Sequence, residues 1–225
     1  MSLMHRVICL LAAGLLAAGA AQAGQEAPTP KRWDWGFEGD RVNRAPAGFS
    51  FGRTGDGRMG RWVVWPHPDA PSRPNVLAQV DGDSVDFRSP LAVADDPRLS
   101  DVRLSVRCKP MAGKLEQSCG LVFRYQDGHN YYVARANALE RNVRLYKVVE
   151  GRRRQLGDWR GAVTNGAWHV LQVEARGDAV AVSWDGQAVI RVSDRTFQGP
   201  GQVGVWTKAD SVVYFDDLRV ESLED

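Results

Sequence analysis

The chain has 225 residues, with 29 lysines and arginines against 27 acidic residues, and a formal net charge of +2. That near-neutral balance offers no basic field for nucleic acid or for an anionic membrane surface. Three cysteines without zinc-ligand spacing, and no G-x-S-x-G or H-E-x-x-H motif, leave zinc and serine-hydrolase chemistry unsupported.

In chain order, His5 and Arg6 precede an apolar run from Val7 to Ala20, and Ala21-Gln22-Ala23 forms an A-x-A site before Gly24. This pattern predicts an export signal over 1–23 and a periplasmic or secreted mature protein with no membrane anchor after cleavage. Residues 24–31 read as a flexible, proline-containing leader, and 32–225 as one domain. From Asp101 to Val220, strand-length segments such as 101–108, 131–137 and 168–176 follow one another with Gly, Asn and Asp between them and no helical period. An all-β, two-sheet antiparallel sandwich of jelly-roll type is the expected fold. Asp185-Gly186 predicts a type I′ hairpin, and Glu150-Gly151 and Gly177-Asp178 are read as similar turns. The following Arg152-Arg153-Arg154 run reads as a solvated hairpin.

Once Arg6 leaves with the signal, 28 basic residues face 27 acidic ones, and two cysteines remain. Cys108 and Cys119 flank a turn at Gly113-Lys114, so pairing across it sets them opposite each other on the core side. A disulfide is expected in an oxidising compartment, two buried thiols being the alternative.

Side-chain alternation sends Leu121 and Phe123 to the core, and Gly120, Val122 and Arg124 to the other face. The same count groups Tyr131, Arg135 and Asn137, then Arg144 and Tyr146, then Gly204, Trp206 and Lys208. If these strands are neighbours, one face gathers arginine, asparagine, lysine and aromatic groups, which suits stacking on a pyranose and donation to its hydroxyls. The alternative is an ordinary solvated face on which Arg124, Arg135 and Lys208 pair with Glu140, Asp127 and Asp210. His169 shares the parity of Leu171 and Val173 and reads as a hydrogen-bonded core histidine, and Trp184 as a packing residue. Trp62, Trp65 and His67 could line a rim.

The segments 120–127, 130–140, 142–148, 205–211 and 214–218, with Pro46-Ala-Gly-Phe49 and 74–79, together resemble an exported bacterial family of concanavalin A-like lectin/glucanase domains. That family is akin to laminin-G-like modules and to the 3-keto-disaccharide hydrolase domains. The resemblance covers nearly the whole mature chain and implies two curved sheets, the concave one presenting a saccharide site. Arg124, Tyr131, Arg135, Asn137, Arg144, Tyr146, Trp206 and Lys208 are then the expected ligand-binding residues, and a saccharide or glycan the expected partner. Two acidic segments, Glu38 and Asp40 near the start and Asp216 and Asp217 near the end, resemble the structural calcium site of carbohydrate-binding jelly rolls. Ca2+ held by Glu38, Asp40 and Asp217 is the corresponding expectation.

A glucanase of this fold carries a Glu-x-Asp-x-x-Glu strand, and the chain has none. Glu38-Gly39-Asp40-Arg41-Val42-Asn43 lacks the final acid, which speaks against paired-carboxylate cleavage. Gly199 to Gly204 spells G-x-G-x-x-G but contains a proline and leads into a strand, so it is a turn. Enzymatic action on 3-keto-glycosides, by proton abstraction beside the ketone, would fall to Lys208, Asp210, Glu140 or His129. Carbohydrate binding is the leading reading, the keto-glycoside enzyme the second, and a laminin-G-like protein-interaction module the third.

Overall fold

The computed structural model describes residues 30–224, and the expected export signal and residues 24–29 of the leader lie outside them. Among the described residues every regular element is a β-strand, and all strand pairs are antiparallel. One sheet runs in the order β13 (Gln187–Ser193), β12 (Ala179–Trp184), β11 (His169–Arg176), β6 (Val102–Ala112), β15 (Val212–Ser222), β4 (Asn75–Gln79) and β3 (Trp62–Pro66). β1 (Arg32–Trp35) also pairs with β15. The facing sheet runs β10 (Arg152–Arg160), β9 (Asn142–Val149), β8 (Asn130–Asn137), β7 (Ser118–Asp127), β14 (Gln202–Thr207), β5 (Arg88–Ala94) and β2 (Phe49–Gly55). The expected two-sheet sandwich is the fold observed.

Alternation decides what lies between the sheets. Leu104, Val106, Leu171, Val173 and Phe215 enter the core from the first sheet, and Leu121, Phe123, Tyr132, Leu145 and Val205 from the second. Trp62 is buried there beside Phe215, with ring centroids 5.9 Å apart, so it is a core residue and no part of a rim. Trp184 is buried as well, its indole N–H donating to the Ala162 carbonyl at 3.0 Å. His169, the first residue of β11 and in register with Cys108, is largely buried and hydrogen-bonded at the end of its strand, as expected. There it stacks on Trp184 and bonds Asp185 at 2.8 Å and Thr164 at 2.9 Å.

Turn chemistry matches the backbone at two hairpins. Asp185-Gly186 and Glu150-Gly151 have positive φ at both residues, as a type I′ turn requires.

Cys108 and Cys119 form a disulfide, by a different route from the hairpin expected. β6 pairs with β11 and β15, while β7 pairs with β8 and β14, so the two cysteines belong to opposite sheets and their bond crosses the core. The connecting arch has no ladder of its own. The Asp210 carboxylate instead accepts the backbone N–H groups of Lys114 at 2.6 Å, Leu115 at 3.1 Å and Glu116 at 3.0 Å. Asp210 is thus a structural cap for the chain's crossing between sheets.

Two stability measurements test these assignments. Replacing both cysteines by serine should lower the unfolding free energy in urea by about 3 kcal/mol, the value for so short a closed loop. A double variant as stable as the parent under oxidising conditions would contradict a formed bond. Asp216 is fully buried, and burial lifts its carboxyl to about 6 although Ser72 N–H and Oγ donate to it at 2.8 and 2.9 Å. Its folded value exceeds that of the unfolded chain, so the folded state holds this proton longer. Stability from this group is therefore present below about pH 4 and is lost as pH rises through about 6. Compared with the parent, Asp216→Asn should gain about 2–3 kcal/mol between pH 4 and pH 7. Parallel pH profiles for the two proteins would refute it.

Candidate functional site

The outward face of the seven-stranded sheet carries the expected aromatic and charged groups and, beyond what the sequence suggested, a large apolar cluster. Leu91, Val93, Val122, Tyr131, Val133, Tyr146, Val148 and Trp206 form a second buried cluster there, with Tyr125 packed against it. One register row runs Arg144, Arg135, Gly120, Trp206, Leu91 across five neighbouring strands. Gly120 is what lets the indole lie on the sheet: a Cβ at this position would meet Trp206 Cε3 at 3.0 Å and the Ala134 carbonyl at 3.1 Å.

Loops rise around this floor and leave a cleft of about 400 Å3. Tyr131, Val148, Trp206 and Lys208 line it from the sheet, Thr54, Gly55 and Ser89 from β2 and β5, Asp86 and Phe87 from the preceding loop, and Gly151 to Arg153 from the β9–β10 hairpin. At 80% exposure Phe87 is by far the most exposed large hydrophobic among the described residues, and it stands at the cleft. Its backbone is fixed from below. The Phe87 carbonyl accepts Asp56 N–H at 3.2 Å and lies so close over Gly55 that a Cβ there would sit 1.6 Å from its oxygen; Gly55 itself has φ +80°.

Arg88, fully buried, anchors the same loop. Its guanidinium donates to the carbonyls of Arg58 at 2.7 Å and Ala209 at 2.5 Å and lies 3.4 Å from the Asp81 carboxylate. One side chain thereby ties the Asp86-Phe87 loop to the segment carrying Lys208. Lys208 is itself nearly buried between Asp86 and Glu116, the latter at 3.1 Å, and its ammonium holds the Asp86 carboxyl below the ordinary range.

The back of the cleft is closed by hydrogen bonds. Tyr131 Oη and Thr54 Oγ1 are 2.7 Å apart, and Thr54 Oγ1 also donates to the Gly128 carbonyl at 2.6 Å. Gly151 N–H donates to the His129 carbonyl at 3.0 Å, clasping the tips of the β7–β8 and β9–β10 hairpins together. Burial pushes the Tyr131 phenol to about 12, so this hydroxyl stays protonated at neutral pH.

The structure therefore distributes the sequence-expected residues among different jobs. Tyr131, Trp206 and Lys208 line the cleft, and Tyr146 lies in the same apolar cluster. Arg135 is buried beside them, donating to Asn142 Oδ1 and Glu140 Oε2, each at 2.6 Å. Arg144 is held by Asp158 at 2.5 Å and Glu140 at 3.1 Å. Asn137 is buried at the end of β8, donating to Glu116 at 2.5 Å and accepting Leu139 N–H at 2.8 Å, which makes it a turn cap.

Arg124 leaves the face altogether. A bulge in β7 begins at this residue, which adopts φ +46°, and the slip reverses the alternation. Tyr125 takes the outward position against Tyr131, with centroids 5.8 Å apart. The Arg124 guanidinium turns under the end of the sandwich to the carbonyls of Ser100 at 2.7 Å, Phe197 at 2.9 Å and Gly177 at 2.7 Å.

The four residues weighed for catalysis do not converge. Lys208 is in the cleft, Asp210 caps the arch, Glu140 is shared by Arg135 and Arg144, and His129 is an exposed hairpin residue beside Asp127. Neither do the residues expected to hold calcium. Asp217 pairs with Arg107 and Arg219 at 3.1 Å each, Asp216 is taken up by Ser72, and Asp40 accepts Ala47 N–H at 3.0 Å. Among the described residues no group of three or more His, Cys, Asp or Glu is placed to hold a metal ion, so the donor set for calcium at Glu38, Asp40 and Asp217 does not fit.

Asp86, Phe87, Thr54, Ser89, Arg152 and Arg153 were not singled out as site residues from sequence. An aromatic between charges in Asp86-Phe87-Arg88 was the available signal for one of them. A larger hollow of about 780 Å3 lies between residues 30–33, 96–99 and 221–224, but its Arg103 is already committed to Glu174 and Glu221 at 3.0 and 3.2 Å.

No family model and no curated protein matches the chain. Solved structures share its fold. Carbohydrate-binding module CBM66 from Bacillus subtilis is similar at 20% identity and a TM-score of 0.62, over 80% of this chain and 98% of that one. Domain 4 of AbnA, a GH43 extracellular arabinanase from Geobacillus stearothermophilus in complex with arabinotriose, gives 13% and 0.57, over 87% and 94%. The VIP36 exoplasmic/lumenal domain, in its Ca2+- and mannose-bound form, gives 12% and 0.56, over 86% and 90%. The fold is thus shared with a carbohydrate-binding module and with domains solved with arabinotriose and mannose bound.

Arg124→Met should cost about 3–5 kcal/mol in urea unfolding, because three loop carbonyls lose one fully buried, charged donor. A loss below about 1 kcal/mol would contradict its role as a clamp.

Proposed function

We propose that the protein is an exported carbohydrate-binding domain and that the cleft on the outward face of the seven-stranded sheet takes the sugar. The observation that carries this reading is the pairing of an exposed aromatic with a fixed polar surround in one cleft of ligand size. Phe87 stands open to solvent, while Tyr131, Thr54 and Lys208, with Ser89 also in the lining, are held by hydrogen bonds and ion pairs of their own. A pyranose or furanose offers an apolar C–H face to Phe87 and hydroxyls to these groups. Because the loop is tied down by Arg88 and the rear wall by Tyr131 and Thr54, little ordering entropy is charged to binding.

Sites of this design recognise through stacking plus a few hydrogen bonds, and the cleft contains no flanking pair of carboxylates for glycosidic cleavage. Sharing the fold with a carbohydrate-binding module and with domains solved with arabinotriose and mannose bound supports the reading. The cleft departs from the sequence-based surface in one respect: its rim is built by loops, and the arginines of the central strands stand behind it as supports.

The test is calorimetric titration of the secreted protein with a panel of oligosaccharides, with product release followed in parallel on plain and 3-keto disaccharides. Saturable binding that falls about tenfold in Phe87→Ala, at unchanged thermal stability, is the expected result, tenfold being the worth of one stacked ring. Turnover confined to keto-sugars would replace binding by the enzymatic reading, and undiminished affinity in Phe87→Ala would move the site elsewhere.

A further inference from the structure

The charge lining the cleft is asymmetric. Arg152, Arg153 and Lys208 face Asp86 as the sole lining carboxylate, and Lys208 is already shared between Asp86 and Glu116. Arg152 and Arg153 are exposed, and among the described residues neither forms an ion pair with a carboxylate. The Arg153 guanidinium is nevertheless held in place, 4.5 Å from the centroid of the Tyr146 ring. Tyr146 is fixed in turn by the buried cluster, with its hydroxyl 3.4 Å from both Arg135 and Arg144. Arg153 pairs in register with Val148, whose side chain lines the cleft, so the guanidinium is on the ligand's side of the sheet.

An arginine stacked on an aromatic ring keeps its fork of donors free and pre-oriented, and that fork matches a carboxylate bidentately. A neutral sugar would leave the Arg153 guanidinium with only the longer-range charge of Asp86, itself paired with Lys208, opposite it. A sugar carrying a carboxylate would supply it, with its ring over Phe87 and its acid group toward the β9–β10 turn.

We propose that the ligand is an acidic saccharide, a uronate-containing glycan, and that Arg153 binds its carboxylate. This rests on the saccharide reading of the cleft and names the class of sugar. Tyr146 is a positioning residue for Arg153.

The experiment is calorimetric titration of the whole secreted chain with oligouronates, with the same oligosaccharides after reduction of their carboxyl groups to alcohols, and with sulfated neutral oligosaccharides. The expected result is uronate binding at least about tenfold tighter than its reduced counterpart at low salt, a preference that shrinks as salt is raised. Arg153→Gln should abolish that preference and leave affinity for the reduced sugars within about twofold, while Arg153→Lys, which keeps charge but not the fork, should restore only part of it. Because Arg153 is exposed, unchanged thermal unfolding of both variants is part of the expectation. Equal affinity for acidic and reduced forms would overturn the inference and leave the saccharide reading standing. Preference for sulfated sugars over uronates would overturn the carboxylate assignment. Absence of binding to every sugar would overturn both readings together.

Discussion

The seven-stranded sheet carries a buried apolar cluster on each face, and most of what is distinctive about this protein follows from that. A sheet in a two-layer sandwich needs one face covered by its partner; the other can be left to water. Here Trp206, Tyr131, Tyr146 and four valines occupy the second face, and their area is too large to leave exposed without loss of hydrophobic stabilisation at roughly 25 cal/mol per Å2. The β7–β8 and β9–β10 hairpins and the loop before β5 close over them. The cleft is the space those covers leave, which is why its floor is aromatic and its rim is polar.

Covering a sheet with loops raises a second problem, because loop backbone buried against apolar residues must find hydrogen-bond partners. Three arginines with almost no solvent exposure answer it. Arg88 ties the Phe87 loop to the Lys208 segment, Arg124 joins three separate connections beneath one end of the sandwich, and Arg135 binds the β8–β9 turn through Glu140 and Asn142. Five donors in a fixed fork suit this work, since one side chain satisfies carbonyls from several loops at once. The polar residues of the sheet face thus divide into those that hold the cleft and those that meet solvent inside it.

The same economy shapes the cleft's electrostatics. Arg135, Arg144 and Lys208 are paired with carboxylates, whereas Arg152 and Arg153, at the start of the edge strand β10, form no ion pair with a carboxylate among the described residues. Their charge is left for whatever enters. A structural need on the sheet and an open charge on the hairpin coexist because side chains of the central strands are enclosed by neighbours on both sides and those of the edge strand β10 are not.

What the sequence determined by itself was everything that depends on period and on local chemistry. Alternation marked the strands and separated Leu121 and Phe123 from Val122, Asp-Gly and Glu-Gly set type I′ turns, and two cysteines implied a disulfide. Tyr131, Trp206 and Lys208 were legible as members of one face because the alternation rule holds along an unbroken strand. It failed at Arg124, where one bulged residue reverses the parity of everything after it, and such a bulge leaves no periodic trace. The tertiary structure alone decided that β6 and β7 belong to opposite sheets, that Asp216 and Asp217 are consumed by Ser72, Arg107 and Arg219 and not offered to a metal, and that Asp86, Phe87 and Arg153 meet around Trp206. Those placements come from loops brought together across long stretches of chain, and no local pattern records which carbonyl a distant arginine will find.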